Sequence, residues 1–153
     1  MSATKPRDLA LIGLFAAVVG WLLVRQYYGD LPPLRWYLPL SLAALGIAEL
    51  IGARSLRSRI RGSEGLTPVD AVGAAGAVAL AKASAVSAAG FLGLWVGLLA
   101  YTVPNLGFLA AAGNDTVTGV VGIASSGLLV AGALVLEDAC RTPEPPKDSD
   151  WRN

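Results

Sequence analysis

The stretch TVTGVVGIASSGLLVAGALVL, residues 116–136, carries no charged side chain from end to end. A helix of about 20 apolar residues is long enough to cross the ~30 Å hydrocarbon core of a lipid bilayer. Three other apolar stretches of comparable length lie at residues 9–28, 36–53 and 83–103. We therefore predict an all-α fold, an integral membrane four-helix bundle built from these four spans.

The composition of the whole chain agrees with a membrane protein. Of its 153 residues, 54% are hydrophobic and 15% are charged, whereas about 25% are charged in typical soluble domains. There is no histidine, the commonest general base and metal ligand, and one cysteine, Cys140, which cannot form an internal disulfide. We expect no cofactor, no metal site and no enzymatic activity.

The first apolar stretch follows a short basic segment, which is also the pattern of a signal peptide. It ends at Val24, Arg25 and Gln26, with no small residues that would make a cleavage site, and apolar sequence continues beyond it. We expect this helix to be retained, with Tyr27 and Tyr28 at the far membrane interface.

Residues 68–103 contain no turn signal before Pro104. Thr67 suits a helix N-cap and Pro68 suits the first helical position. The first part, residues 68–81, is too weakly apolar for lipid and is predicted as a short cytoplasmic helix that leads into the third span. A fifth span across residues 69–88 is the alternative.

The basic residues indicate how the spans are oriented. Of the 12 lysines and arginines, only Arg25 and Arg35 fall on the side opposite to the N-terminus. Because basic residues remain on the cytoplasmic side, we expect a multi-pass protein of the bacterial plasma membrane with both termini in the cytoplasm. Residues 1–141 form the predicted membrane domain, and residues 142–153, with prolines and mixed charge, form a disordered cytoplasmic tail.

Several short motifs occur along the chain in an order that resembles the order seen in a known family. They are a Pro-Pro loop before the second span, Glu49-Leu50 ahead of LRSRI at residues 56–60, ALAKAS at residues 79–84, and Glu137 followed by Cys140-Arg141. Over roughly residues 6–141 the chain is similar to the actinobacterial membrane-protein family catalogued as domain of unknown function three-one-eight-zero. The resemblance implies a four-helix protein of the bacterial plasma membrane and no particular activity.

Three ionisable residues fall at or near the cytoplasmic ends of the predicted spans, namely Glu49, Lys82 and Glu137. A charge inside the membrane costs about 2.5 kcal/mol or more at the centre of a span and is usually paired or functional. These residues form either a small polar site or a structural ion pair in which Lys82 extends towards the headgroups. We expect Lys82 to pair with Glu49, with Glu137 as the alternative.

A basic cluster follows the second span and consists of Arg54, Arg57, Arg59 and Arg61. We expect it to fix the topology and to contact anionic lipid headgroups, at about 1 kcal/mol for each basic residue. No aromatic side chains are interleaved with the arginines, so we expect no nucleic-acid partner.

Small residues at a spacing of four, Ala89, Gly93 and Gly97, form a face that lets two helix backbones approach closely. The face is predicted to pack helices within the chain, with contact to a second copy or to another membrane protein as the alternatives. The sequence therefore favours a noncatalytic structural or partner-binding component of the cell envelope. The alternative function is a small transporter or channel with a polar site at its cytoplasmic face.

Overall fold

The computed structural model describes residues 5–30, 32, 34–60 and 71–140, which form four α-helices. They are α1 (Pro6–Tyr27), α2 (Leu40–Ile60), α3 (Ala71–Thr102) and α4 (Ala112–Ala139). Short 3-10 turns at Tyr28–Asp30 and Val103–Asn105 follow α1 and α3. The described residues contain no strand, which confirms the all-α fold class.

Prolines set several of the helix boundaries. Pro6 occupies the first helical position of α1, where its missing N–H costs nothing. Helix α2 begins directly after Pro39, four residues later than predicted from the apolar stretch. The ring of Pro39 disfavours helical backbone at Leu38, which accounts for the later start. Helix α3 gives way to the 3-10 turn that contains Pro104.

The predicted cytoplasmic helix and the third span are one continuous helix in the structure. Helix α3 runs from Ala71 to Thr102 with no reversal of direction. The first residues of the predicted cytoplasmic helix, 68–70, lie outside the described residues, as does the predicted disordered tail at 142–153.

Three helical segments are long and apolar enough to cross a membrane, namely Pro6–Asp30, Ala75–Asn105 and Ala112–Ala139. Helix α2 is not among them. Its apolar part, residues 40–53, has about 14 residues and spans ~21 Å before Arg54 and Arg57 interrupt it. The four-helix prediction therefore holds for the number of helices in the described chain, whereas only three of them have the composition of a full span.

The helices lie in the order α1, α3, α4, α2. Within the described chain, extensive helix packing joins α1 to α3, α3 to α4 and α4 to α2. Helix α4 therefore contacts both α2 and α3, and no extensive packing joins α2 directly to α3 in the described chain. Among the described residues, helices α1 and α2 each have one extensive helix partner, so each presents a wide face outwards.

Helices α1 and α3 are parallel and pack through small residues. The Gly93 backbone lies directly against the carbonyl of Gly13, and Gly97 lies directly against the carbonyl of Ala17. Ala89 is buried on the same face of α3. The structure thus places the predicted small-residue face inside the chain, where the missing side chains let the two backbones approach closely.

Helix α4 is parallel to α2. Gly46 lies against Gly132, and further along the helices the guanidinium of Arg57 lies 3.2 Å from the carboxylate of Asp138. A side chain on Gly46 would meet the backbone of Leu129 at 2.9 Å, so close backbone approach also defines this pair.

Helix α4 is antiparallel to α3. Ala85 and Ala133 pack in one apolar cluster, and at the other end of the pair the Thr116 hydroxyl donates to the Thr102 hydroxyl at 3.1 Å. All four helices therefore share two common ends. We call one the basic end, since it carries Arg7, Arg54, Arg57 and Lys82, and the other the aromatic end, since it carries Tyr27, Tyr28, Trp36, Tyr37 and Tyr101.

Candidate functional site

Glu49 is a buried carboxylate near the basic end of α2. The residue Glu49 as a whole is 4% exposed, and neither of its carboxylate oxygens has a hydrogen-bond partner among the described residues. It lies between Gly46, which contacts α4, and Ala53, which packs with Leu136 and Ala139 of α4. A buried polar group normally has a partner, so Glu49 is the most unusual ionisable residue of the described chain.

Lys82 and Glu137 lie on neighbouring helices at the same end. Lys82 is half-buried on α3 and Glu137 is buried on α4. Their neighbours Ala81 and Leu136 belong to the same apolar cluster as Ala53. The structure therefore brings all three predicted ionisable residues to the basic end.

We predicted that Lys82 pairs with Glu49, and in the described chain no hydrogen bond joins the two, because the Glu49 oxygens have no hydrogen-bond partner there. Two features of the fold explain this. Helix α4 packs between α2 and α3, and Glu49 precedes Ala53 by one helical turn, so it lies ~6 Å further from the basic end than the Ala53 cluster.

The basic cluster is only partly within the described residues. Arg54 and Arg57 are exposed on the last turns of α2, whereas Arg61 and the side chain of Arg59 lie outside the described part. Arg57 forms an exposed ion pair with Asp138 of α4, and such pairs contribute little to stability. The structure therefore places Arg54 and Arg57 on the exposed surface of the basic end.

Cys140 directly follows α4 and is half-buried. Burial raises the pKa of its thiol above the usual value, which disfavours the nucleophilic thiolate. The described residues also contain no group of three or more side chains of the types that hold a metal ion. The basic end thus offers acid and base groups but no activated nucleophile in the part of the chain that is described.

The aromatic end contains a polar contact that the sequence analysis missed. The Tyr28 hydroxyl donates to Oδ2 of Asp115 at 2.6 Å, and Asp115 is 6% exposed in the first turn of α4. The Tyr28 ring also contacts the Tyr101 ring at 5.2 Å between centroids. The predicted fourth span, residues 116–136, begins one residue after Asp115. Its helical position could have been predicted from the sequence, because an acidic residue is stabilising in the first turn of a helix.

Two cavities lie beside this contact. One, of about 430 Å³, is lined by Tyr28, Pro32, Leu34 and Asp115 together with residues 109–111. The other is an apolar groove of about 490 Å³ between α1 and α3, and Leu34 forms part of its wall as well. The Asn114 side chain donates a hydrogen bond to the Leu34 carbonyl at 2.7 Å, which fixes the position of the wall between the two cavities.

The comparisons with known proteins give one match. The sequence pattern of a family described as protein of unknown function (DUF3180) matches residues 9–144. Neither the curated proteins nor the solved structures contain a match to this chain. The family match covers most of the chain and confirms the resemblance in its short motifs, and the protein belongs to the DUF3180 family.

Proposed function

We propose that the protein is a noncatalytic multi-pass component of the bacterial plasma membrane that binds a membrane partner through α2. In this proposal all four helices cross the bilayer, and the basic end, with both termini, faces the cytoplasm. The supporting sequence feature is the unequal distribution of lysine and arginine between the two ends.

The helix surfaces support a membrane environment. Large apolar side chains point outwards along the middle of the helices, among them Leu14 at 65% and Phe15 at 73% exposure on α1. Such a surface is unfavourable in water and is suited to lipid tails. Close packing of small residues is the usual way in which helices associate within lipid.

The observation that carries the partner-binding proposal is the position of α2. This helix packs extensively only against α4 in the described chain, and its apolar part is about 14 residues, shorter than the ~20 of an ordinary span. Its outward face carries Leu45, Ile47 and Ile51, with Ile51 at 61% exposure. A second protein that covers this face would bury apolar area and shield the short helix.

Site-specific photocrosslinking in native membranes tests the proposal. A photoreactive residue at Ile51 should give a protein adduct of defined mass. The same residue at Val135, exposed on α4 and also near the basic end, serves as the control and should give lipid adducts alone. If Ile51 also gives lipid adducts alone at the native expression level, α2 faces lipid and the proposed partner interface is wrong.

A small transporter or channel is the second candidate, and Glu49 favours it. A buried carboxylate with no hydrogen-bond partner in the described chain can exchange a proton or bind a cation. Flux of protons and of sodium into liposomes that contain the purified protein tests this function. Glu49→Gln should abolish the flux while Asp138→Asn, which alters an exposed carboxylate, should preserve it. Absence of flux above that of empty liposomes would exclude this candidate for both ions.

A further inference from the structure

The cavity at the aromatic end has an acidic character. Among the described residues that line it, Asp115 is the one charged side chain, and no described lysine or arginine contributes to its wall. The Asp115 carboxylate is buried and already accepts the short hydrogen bond from Tyr28. Charge complementarity therefore selects a cation, and a carboxylate binds best a cation that donates hydrogen bonds.

The neighbouring groove has the opposite character. Its wall is built from apolar and aromatic residues of α1 and α3, including Leu23, Val24, Leu94 and Leu98. From Gly20 to Tyr27 it follows α1 for ~10 Å. A groove of this kind along a membrane helix fits an alkyl chain.

The two cavities have a common wall residue. Leu34 lines both, so a single molecule with a cationic end and an alkyl chain can reach Asp115 and the groove together. The site also lies at the level of Tyr27, Tyr28 and Trp36, where aromatic side chains mark the membrane interface.

We propose that Asp115, Tyr28 and the groove between α1 and α3 form a binding site for a phospholipid with a primary ammonium headgroup. The ammonium donates to the Asp115 carboxylate, and one acyl chain lies in the groove along α1. The inference rests on the proposed membrane location, and it assigns the aromatic end a ligand that the partner-binding proposal does not require.

The chemistry of the ammonium distinguishes this lipid from its analogues. A quaternary choline headgroup has the same charge but no N–H donor, and a glycerol headgroup has no cation. Asp115 should therefore prefer phosphatidylethanolamine over both, because the charge-assisted hydrogen bond from the ammonium is stronger than the neutral one that a glycerol hydroxyl donates, and choline donates none.

Native mass spectrometry of the full chain in detergent micelles measures this preference. The protein is titrated with dioleoyl phosphatidylethanolamine, the matching choline and glycerol lipids, and free ethanolamine. The wild-type chain should bind the ethanolamine lipid at least about fivefold more tightly than the other two lipids. Free ethanolamine should bind far more weakly, because it lacks the chain that fills the groove. Binding of free ethanolamine as tight as that of the lipid would overturn the lipid assignment.

Two variants and one control locate the site. Asp115→Asn should remove the preference, and Leu34→Trp should weaken lipid binding by filling the wall between the cavities without touching the carboxylate. Asp30→Asn changes an exposed carboxylate at the same end and should bind like the wild type. If Asp115→Asn does not fold, as judged by its melting curve without lipid, Leu34→Trp decides the question.

The competing explanation is that the contact between Tyr28 and Asp115 only ties α1 to the start of α4. In that case the wild type binds the three lipids equally, or Asp115→Asn keeps the preference, or Leu34→Trp binds lipid as tightly as the wild type, and any of these results overturns the proposal. Carbonate washing of membranes tests the membrane location separately. A chain that resists extraction but shows no lipid preference would refute this inference and leave the membrane proposal standing.

Discussion

Replacing Gly97 by alanine should force α1 and α3 apart. A Cβ atom at Gly97 would lie 2.7 Å from the backbone nitrogen of Trp21 and closer still to the carbonyl oxygen of Ala17. Both are backbone atoms, so they cannot move aside as the end of a flexible side chain can. An ordinary contact is 3.4–4 Å, so the helices must separate locally by about 1 Å, and overpacking of this kind costs about 1–3 kcal/mol.

Gly90 on the same helix supplies the matched control. A Cβ atom there meets nothing within 4 Å, so Gly90→Ala should gain up to about 1 kcal/mol from the better helix propensity of alanine. Gly97→Ala gains the same propensity but loses the close approach. The two variants should therefore differ by about 1–3 kcal/mol, or roughly 3–9 °C in melting temperature for a chain of this size.

Thermal unfolding in detergent micelles, followed by circular dichroism at 222 nm, measures the difference. Size-exclusion chromatography of both variants shows whether oligomeric state changes as well. If Gly97→Ala melts at or above the temperature of Gly90→Ala, α1 and α3 do not approach as closely as the structure shows. If it melts lower only because a dimer dissociates, the small-residue face packs between copies and not within the chain.

Three other perturbations test particular contacts. Tyr28→Phe should lower the melting temperature by the equivalent of about 1.5–3 kcal/mol, since its hydroxyl bonds a buried carboxylate. Tyr27→Phe, at an exposed neighbour, should change it by less than ~0.5 kcal/mol, and equal losses would show that the hydroxyl contact is unimportant. Maleimide labelling of Cys140 should need a higher pH in the folded chain than in the detergent-denatured chain. The reason is that burial raises the pKa of the thiol and so lowers the fraction of thiolate at a given pH. Labelling rates that depend on pH in the same way in both states would contradict this. Glu49→Met should stabilise the protein by about 1–3 kcal/mol, since it removes a buried carboxylate that has no hydrogen-bond partner in the described chain. The change in stability caused by Glu49→Met should add to the change caused by Lys82→Met within ~0.5 kcal/mol. A loss of stability in Glu49→Met, or strong non-additivity, would show that Glu49 has a partner.

The number of helices and several of their boundaries could be predicted from the sequence because local signals decide them. In a single uncharged stretch such as 116–136, the backbone N–H and C=O groups can satisfy one another without water only if the stretch forms a helix. Pro6 and Pro104 act within a turn of their own positions. The later start of α2 depends on Pro39, a local signal that the apolar pattern of residues 36–53 concealed.

The order of the helices could not be predicted, since helices that are apolar on most faces give no pattern that names their neighbours. Gly90 and Gly93 illustrate the difficulty. Both are glycines in the middle of α3, yet only Gly93 contacts another backbone. The sequence alone does not say which side of α3 faces α1.

The two candidate sites differ in how far sequence reasoning reached them. Lysine and glutamate are costly in a membrane helix wherever they occur, so Glu49, Lys82 and Glu137 were conspicuous without any knowledge of their neighbours. The contact of Tyr28 with Asp115 joins residues 87 positions apart, and both residue types are common near helix ends. Only the packing of α1 and α4 on α3 brings that pair together.

The most direct test of the account is the sidedness of the segments between the helices. Single cysteines at Ser63, after α2, and at Gly107, after α3, are introduced into a Cys140→Ser background and probed on intact cells with a membrane-impermeant maleimide. Gly107 is exposed and a side chain there meets nothing within 4 Å, so its replacement should not disturb the fold. Four spans with both termini in the cytoplasm predict labelling at position 107 and none at position 63 until the cells are permeabilised. Labelling at position 63 but not at position 107 would show that α2 does not cross the membrane or that the orientation is reversed, and would contradict the account.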